Sequence, residues 1–209
     1  MGISAADYMM ISEIVDFWFD GCVNGVTIPN EIMHCWFNHE DSMDHEISLR
    51  FRQHVELISD GTIKHWSSTA KGRLALIILA DQFNRHLYRD TPRMYALDQY
   101  ALKWTIQGIK QRTDMRLLPV ERLFFYMPLQ HAEDQTLQTL SVLKFNQLYQ
   151  YVAKEHPAAI EPYKNSLDYA IKHQQVIKEF GRFPHRNKIL GRHPTKYEAD
   201  FLSQPQTGF

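Results

Sequence analysis

TAKGRLALIILADQFNRHLY, residues 69–88, is the stretch whose reading decides the fold. Leu74 to Ala80 is apolar on nearly every face, the pattern of a fully buried helix or a short buried strand. β-Branching is confined to Ile77 and Ile78, and DQFNR extends the segment without a turn signal, so the stretch predicts a helix, the most buried of the chain. Such a helix must be enclosed by others, and the flanking sequence supplies them.

On the N-terminal side, Ser4 and Asp7 have capping-box spacing, and Ile11, Ile14, Val15, Trp18 and Phe19 recur at helical intervals up to Gly21. Beyond Pro29 lies a short apolar piece from Ile32 to Phe37. Met43, Ile47, Phe51, Val55 and Ile58 then make a second clear period, closed by Asp60-Gly61, with Trp66 in the next connection. On the C-terminal side, Thr91-Pro92 reads as the cap and first turn of a helix carrying Met94, Leu97, Ala101 and Trp104. Pro119 opens a short helix that Pro128 is expected to interrupt, and HAEDQTLQTLSVLKFNQLYQYV, residues 131–152, reads as one longer helix. After Pro157 comes the last long helix, ending at Gly181; Thr195 and Glu198 box a short terminal one. No strand alternation, hairpin turn or Gly-rich phosphate loop is present.

The expected fold is therefore all-α, antiparallel helix pairs arranged as a bundle or a superhelical stack, in one domain over residues 1–209. A hydrophobic share of 44% is enough for a packed core and excludes a disordered chain. With 23 Lys and Arg against 24 Asp and Glu, no overall field favours nucleic acid or an anionic bilayer, so neither is an expected partner. Cys22 and Cys35 are too few for a disulfide framework and read as small core residues of a reducing compartment. The N-terminal sequence lacks the pattern of a signal peptide, and no apolar run approaches a membrane span; a cytoplasmic protein is expected.

Four polar clusters interrupt this apolar pattern. Asp81, Gln82 and Arg85 follow the most apolar run; Asp81 and Arg85 stand at i and i+4, near enough to pair, either as a structural stitch or so that Asp81 aims the Arg85 fork at an anion. His131, Glu133 and Asp134 follow Pro128. On a continuous helix His131, Asp134, Gln135 and Gln138 would share a face with Glu133 turned away, suited to acid–base work or simply a polar helix start. His173 sits on the apolar side of the last long helix. FGRFPHRNKILGRHPTK, residues 180–196, holds five Lys or Arg, two His and no carboxylate. Its Gly-Arg units, with Arg182, Arg186, Asn187 and Arg192, suit an anion, and the interleaved apolar residues indicate a loop packed against the body. No pair of histidines has metal-motif spacing, and arginines would repel a cation, so neither metal nor cofactor is expected.

At these residues the chain resembles the bacterial domain-of-unknown-function 924 family. The resemblance runs through Trp36-Phe37, the Asp44, Ile47, Phe51 spacing, LALIILADQFNRHLYR, ERLFFYMPLQHAEDQ, His173 with Ile177, FGRFPHRNKILGR and a closing Phe209. It implies a helical fold similar to tetratricopeptide-like superhelices and brings no established activity. The chain departs from the family pattern at Asn84, His86 and Gln130, which leaves the charged groups of the clusters in place. Two functions are expected from residues and resemblance together. One is an anionic small-molecule site, with hydrolysis the first reaction to test. In it Asp81, Gln82, Arg85, Glu133, Arg182, Arg186, Asn187 and Arg192 bind, and His131, Asp134, His173 or His185 move protons. The other is a tetratricopeptide-like module whose arginines read an acidic or extended peptide.

Overall fold

In a computed structural model describing residues 2–204, residues 72–84 are buried without a break, as the apolar run requires. Phe209, the closing residue of the resemblance, lies outside the described residues. Around the buried run the elements are helical, and among the described residues the one β-type pairing is an isolated bridge between Val23 and Thr27. In order they are α1 (Ala5–Phe19), α2 (Asn30–Phe37), α3 (Asp41–Glu56), α4 (Ala70–Ile77), a π-helical segment (Ile78–Phe83) and α5 (Asn84–Leu87). There follow α6 (Asp98–Lys110), α7 (Pro119–Gln130), α8 (Gln135–Glu155), α9 (Ile160–Phe180) and α10 (Lys196–Leu202). No helix among the described residues is long and apolar enough to cross a membrane.

Local chemistry sets most of these boundaries. Ser4 and Asp7 form the capping box of α1, and Asp7 also accepts from the Trp66 indole at 2.7 Å, so the cap pins the 3-10 turn Lys64–Ser68 as well. Thr69 caps α4, Thr195 and Glu198 box α10, and Gly181 ends α9 at φ 72°, a conformation that only glycine adopts without strain.

Three sequence expectations are corrected. Thr91-Pro92 opens only a 3-10 turn, Pro92–Tyr95, and the Thr91 hydroxyl donates back to Tyr88 O; the helix starts later, at Asp98. Pro128 does not break α7, because every residue of that helix except Arg122 is buried and packing outweighs the lost backbone hydrogen bond. Cys22 and Cys35 are unpaired thiols that are half-buried rather than enclosed, Cys22 packed against the edge of the core.

The buried run is the axis. α1, α3, α6 and α7 pack on it through Ile14, Trp18, Phe51, Phe83, Trp104 and Phe124, with Trp18 edge-on to Phe83 and Phe124. α7, α8 and α9 pack consecutively, joined by a corner at residues 131–134 and by the 3-10 turn Pro157–Ala159. Val176, Ile177 and Phe183 form a smaller core that seats the C-terminal segment on α9.

Close approach at the start of the axis gives a test. A Cβ added to Gly72 would meet the Trp66 carbonyl oxygen at 2.2 Å. Gly72→Ala, normally favourable within a helix, is expected to destabilise by about 1 to 3 kcal/mol as overpacking. Denaturant unfolding measures it, and a stabilised variant would place Trp66 elsewhere.

Candidate functional site

The buried axis carries its polar groups on the π-helical segment, a wider turn that offsets side chains from α-helical register and recurs at functional sites. Asp81 there is wholly buried, and a carboxylate so placed must be neutralised and hydrogen-bonded. Arg85 lies 3.0 Å from its Oδ1 and also donates to its backbone carbonyl at 2.6 Å. The Gln82 amide donates to Oδ2. His131, fifty residues on, donates from Nδ1 to Oδ1 at 2.7 Å. Burial alone would raise the Asp81 pKa; the Arg85 and His131 charges and the two side-chain hydrogen bonds outweigh it and hold the acid well below the usual carboxylate range.

Arg85 leads outward. Its guanidinium also engages both oxygens of Asp98, at 2.9 and 3.0 Å, in the first turn of α6. Burial lowers its pKa, and Asp81 with Asp98 more than restores it. On the far side of Asp98, at 3.7 Å, stands Arg186, whose carbon Cζ lies 4.7 Å from the Tyr95 ring centre and 4.5 Å from that of Phe183. Arg186 is buried, its Nε has no hydrogen-bond partner among the described residues, and burial followed by the Arg85 charge pulls its pKa down.

The 131–134 corner closes the site from another direction. His131 caps the C-terminus of α7, and Asp134 is the N-cap of α8, accepting from Leu137 N at 2.8 Å. The single helical face expected for His131, Asp134, Gln135 and Gln138 is therefore broken at the corner; Asp134 is an exposed cap, and Gln138 donates to the carbonyls of Gln130 and Ala132. Glu133, expected to turn away, reaches inward: it accepts from Phe183 N at 2.8 Å and from Arg192 at 2.7 and 3.0 Å. Arg192 donates as well to Asn187 Oδ1 and Phe183 O, which fastens the basic segment to the corner. Arg182 instead forks Glu198 at 2.6 and 2.8 Å and ties α10 to the end of α9.

Two further imidazoles line the same region. His173 donates from Nδ1 to Tyr169 O at 2.8 Å, and its ring meets Phe183 edge-on at 5.4 Å, while the His185 ring lies 5.5 Å from Phe183. Burial drives the His173 pKa down to about 3, aided by His131, His185 and Arg186, and burial with Arg186 pushes His185 down to about 4. Both rings are neutral at physiological pH.

The structure thus links Asp81, Gln82, Arg85, His131 and, through Asp98, Arg186 into one polar network, with His173 and His185 beside it against the Phe183 ring and Glu133, Asn187 and Arg192 at its rim. Asp134 and Arg182 stand outside it. Asp98 and Tyr95 are parts that the sequence does not single out, and Phe183 is legible there only as an apolar residue of a packed loop. Asp98 looks like any acid in a first helical turn, and nothing near it in sequence points to two arginines. A separate pairing across the axis joins His86 Nδ1 to Asp44 at 2.6 Å, with Arg89 on the same carboxylate at 2.9 Å, and locks α3 to α5. Among the described residues no group of three or more His, Cys, Asp or Glu is placed to hold a metal ion.

Comparison with known proteins gives relatives without an activity. A family model described as bacterial protein of unknown function (DUF924) matches residues 14–206. A solved structure of a protein of unknown function from Agrobacterium tumefaciens is 31% identical, with a TM-score of 0.77, over 94% of this chain and 98% of the other. No curated protein matches.

The neutral imidazoles make stability depend on pH with a definite sign. Unfolded, each takes up a proton near pH 6.5; folded, His173 and His185 do so only near 3 and 4. Their contribution is complete above the unfolded value and is lost as pH falls through it, about 2 kcal/mol for each ring by pH 5. Melting temperature is expected to drop between pH 7.5 and 5, less steeply in His173→Gln and His185→Gln. An equally steep drop in both variants would mean that the rings are solvated.

Proposed function

The chain belongs to the DUF924 family of bacterial proteins of unknown function, and from that premise we propose that the Asp81 network is a small-molecule site that binds an anionic group and moves a proton on its ligand. The supporting observation is the Asp81–His131 contact of 2.7 Å. A buried carboxylate accepting from Nδ1 orients the imidazole and leaves Nε2 as the atom that can exchange a proton with a ligand. Arg85 and Gln82 steady the carboxylate, so the dyad does not depend on the ligand for its geometry. Arg186 is the anion receptor, a buried guanidinium with an unmet donor, and His173 is within electrostatic reach of His131, His185 and Arg186 alike.

Hydrolysis is the reaction this arrangement suits best. His131 Nε2 takes a proton from water as its oxygen adds to a carbonyl or phosphoryl centre, then returns it to the leaving group, while Asp81 stabilises the intervening imidazolium. The acidic-peptide alternative relies on several arginines reading carboxylates, but Arg182 and Arg192 are engaged by Glu198 and Glu133. The unpaired thiols of Cys22 and Cys35 fit a reducing, cytoplasmic setting.

Screening the protein against esters and amides that carry an acidic group tests this reading. Turnover is expected to fall about a hundredfold or more in His131→Ala, with Arg186→Gln raising KM. Hydrolysis undiminished in His131→Ala, or none with any substrate, would contradict it.

A further inference from the structure

Folding pairs two arginines of the strongly basic segment, Arg182 and Arg192, with carboxylates, as it does Arg85 on the buried axis. Arg85 is held by Asp81 and Asp98, Arg182 by Glu198, and Arg192 by Glu133, Asn187 and the Phe183 carbonyl. Arg186 differs from all three. Its nearest carboxylate is Asp98 at 3.7 Å, already gripped by Arg85, and its guanidinium makes no hydrogen bond among the described residues. The side chain is nevertheless 8% exposed, a position in which unmet donors are costly.

Resting on the anion-site reading above, we infer that the ligand presents a single carboxylate to the Nε and NH2 edge of Arg186, and that the site discriminates against phosphate. The Tyr95 and Phe183 rings lie over the guanidinium, so what it offers a ligand is its in-plane donors. Two parallel N–H groups on one edge match the two oxygens of a carboxylate.

Charge points the same way. Asp81 is met by Arg85 and His131, Asp98 by Arg85 and Glu133 by Arg192, while His173 and His185 are uncharged, so Arg186 is left without a close carboxylate of its own among the described residues. One added negative charge is met by the under-paired Arg186. A phosphate dianion brings a second charge and a third oxygen beside Asp98, whereas Arg85, His131 and Arg192 are already engaged by carboxylates among the described residues. Nε is closed to water here, so a ligand reaches it only when the residues packed around it shift.

The test is calorimetric titration and thermal melting of the full chain with acetate, benzoate and inorganic phosphate at pH 7.5 and constant ionic strength. Benzoate or acetate is expected to bind saturably and raise the melting temperature, phosphate to do neither. Arg186→Lys keeps the charge but loses the fork and should weaken carboxylate binding about tenfold or more, whereas Lys188→Gln, an exposed neighbour, should not change it. Arg186→Gln removes an under-paired buried charge, so it should melt no lower than the parent while losing the response. Phosphate binding as tightly as the carboxylates, and lost with Arg186, would overturn the carboxylate assignment and leave the anion site standing. No response to any of the three anions would overturn both.

Discussion

A carboxylate with no exposure to water sits in the middle of the most apolar helix of this chain, and the surrounding polar structure is organised by the need to satisfy it. Leaving such a charge unpaired costs several kcal/mol. Asp81 is met by Arg85 from its own helix, by Gln82 beside it and by His131 from the far end of α7. Two of these partners extend the network. Arg85 brings in Asp98 and through it Arg186; His131 fixes the corner whose next residues include Glu133, the anchor of the basic segment. The candidate site is thus continuous with the fold's own solution to a buried charge.

The parts of this arrangement legible in sequence are those carried by local spacing. Apolar periodicity marks α1, α3 and the buried axis; Ser4 with Asp7 and Thr195 with Glu198 mark two helix starts; the i, i+4 interval of Asp81 and Arg85 marks their pairing. What sequence did not carry is contact across long separations. Nothing near Asp81 designates His131 fifty residues away, and Asp98 resembles an ordinary helix-start acid. The Pro128 expectation failed for a related reason: proline's local cost is visible in sequence, but the burial of nearly all of α7 that overrides it is not. With the helix end displaced to His131, the faces assigned downstream exchanged, so Glu133 turned in and Asp134 became a cap.

Charge shows the same gap between composition and structure. Residues 180–196 contain no carboxylate, so the sequence presents them as a cationic surface. Folding brings Glu133 from the α7–α8 corner and Glu198 from α10 onto Arg192 and Arg182 and leaves Arg186 enclosed, stacked and under-bonded. In the proposed site, recognition rests on the geometry and unmet donors of one guanidinium rather than on a diffuse positive field. The neutral state of His173 and His185 has the same origin, since burial among apolar rings disfavours further charge.

The central claim is that Asp81 and His131 act as one unit, and a double-mutant cycle measures that directly. Unfolding free energies of the parent, Asp81→Asn, His131→Ala and the double variant, taken at pH 7.5, isolate the energy shared by the two side chains. The account predicts a coupling of about 1 to 3 kcal/mol, as for a buried hydrogen bond to a charged group. Free energies that add, with coupling below about 0.5 kcal/mol, would contradict it.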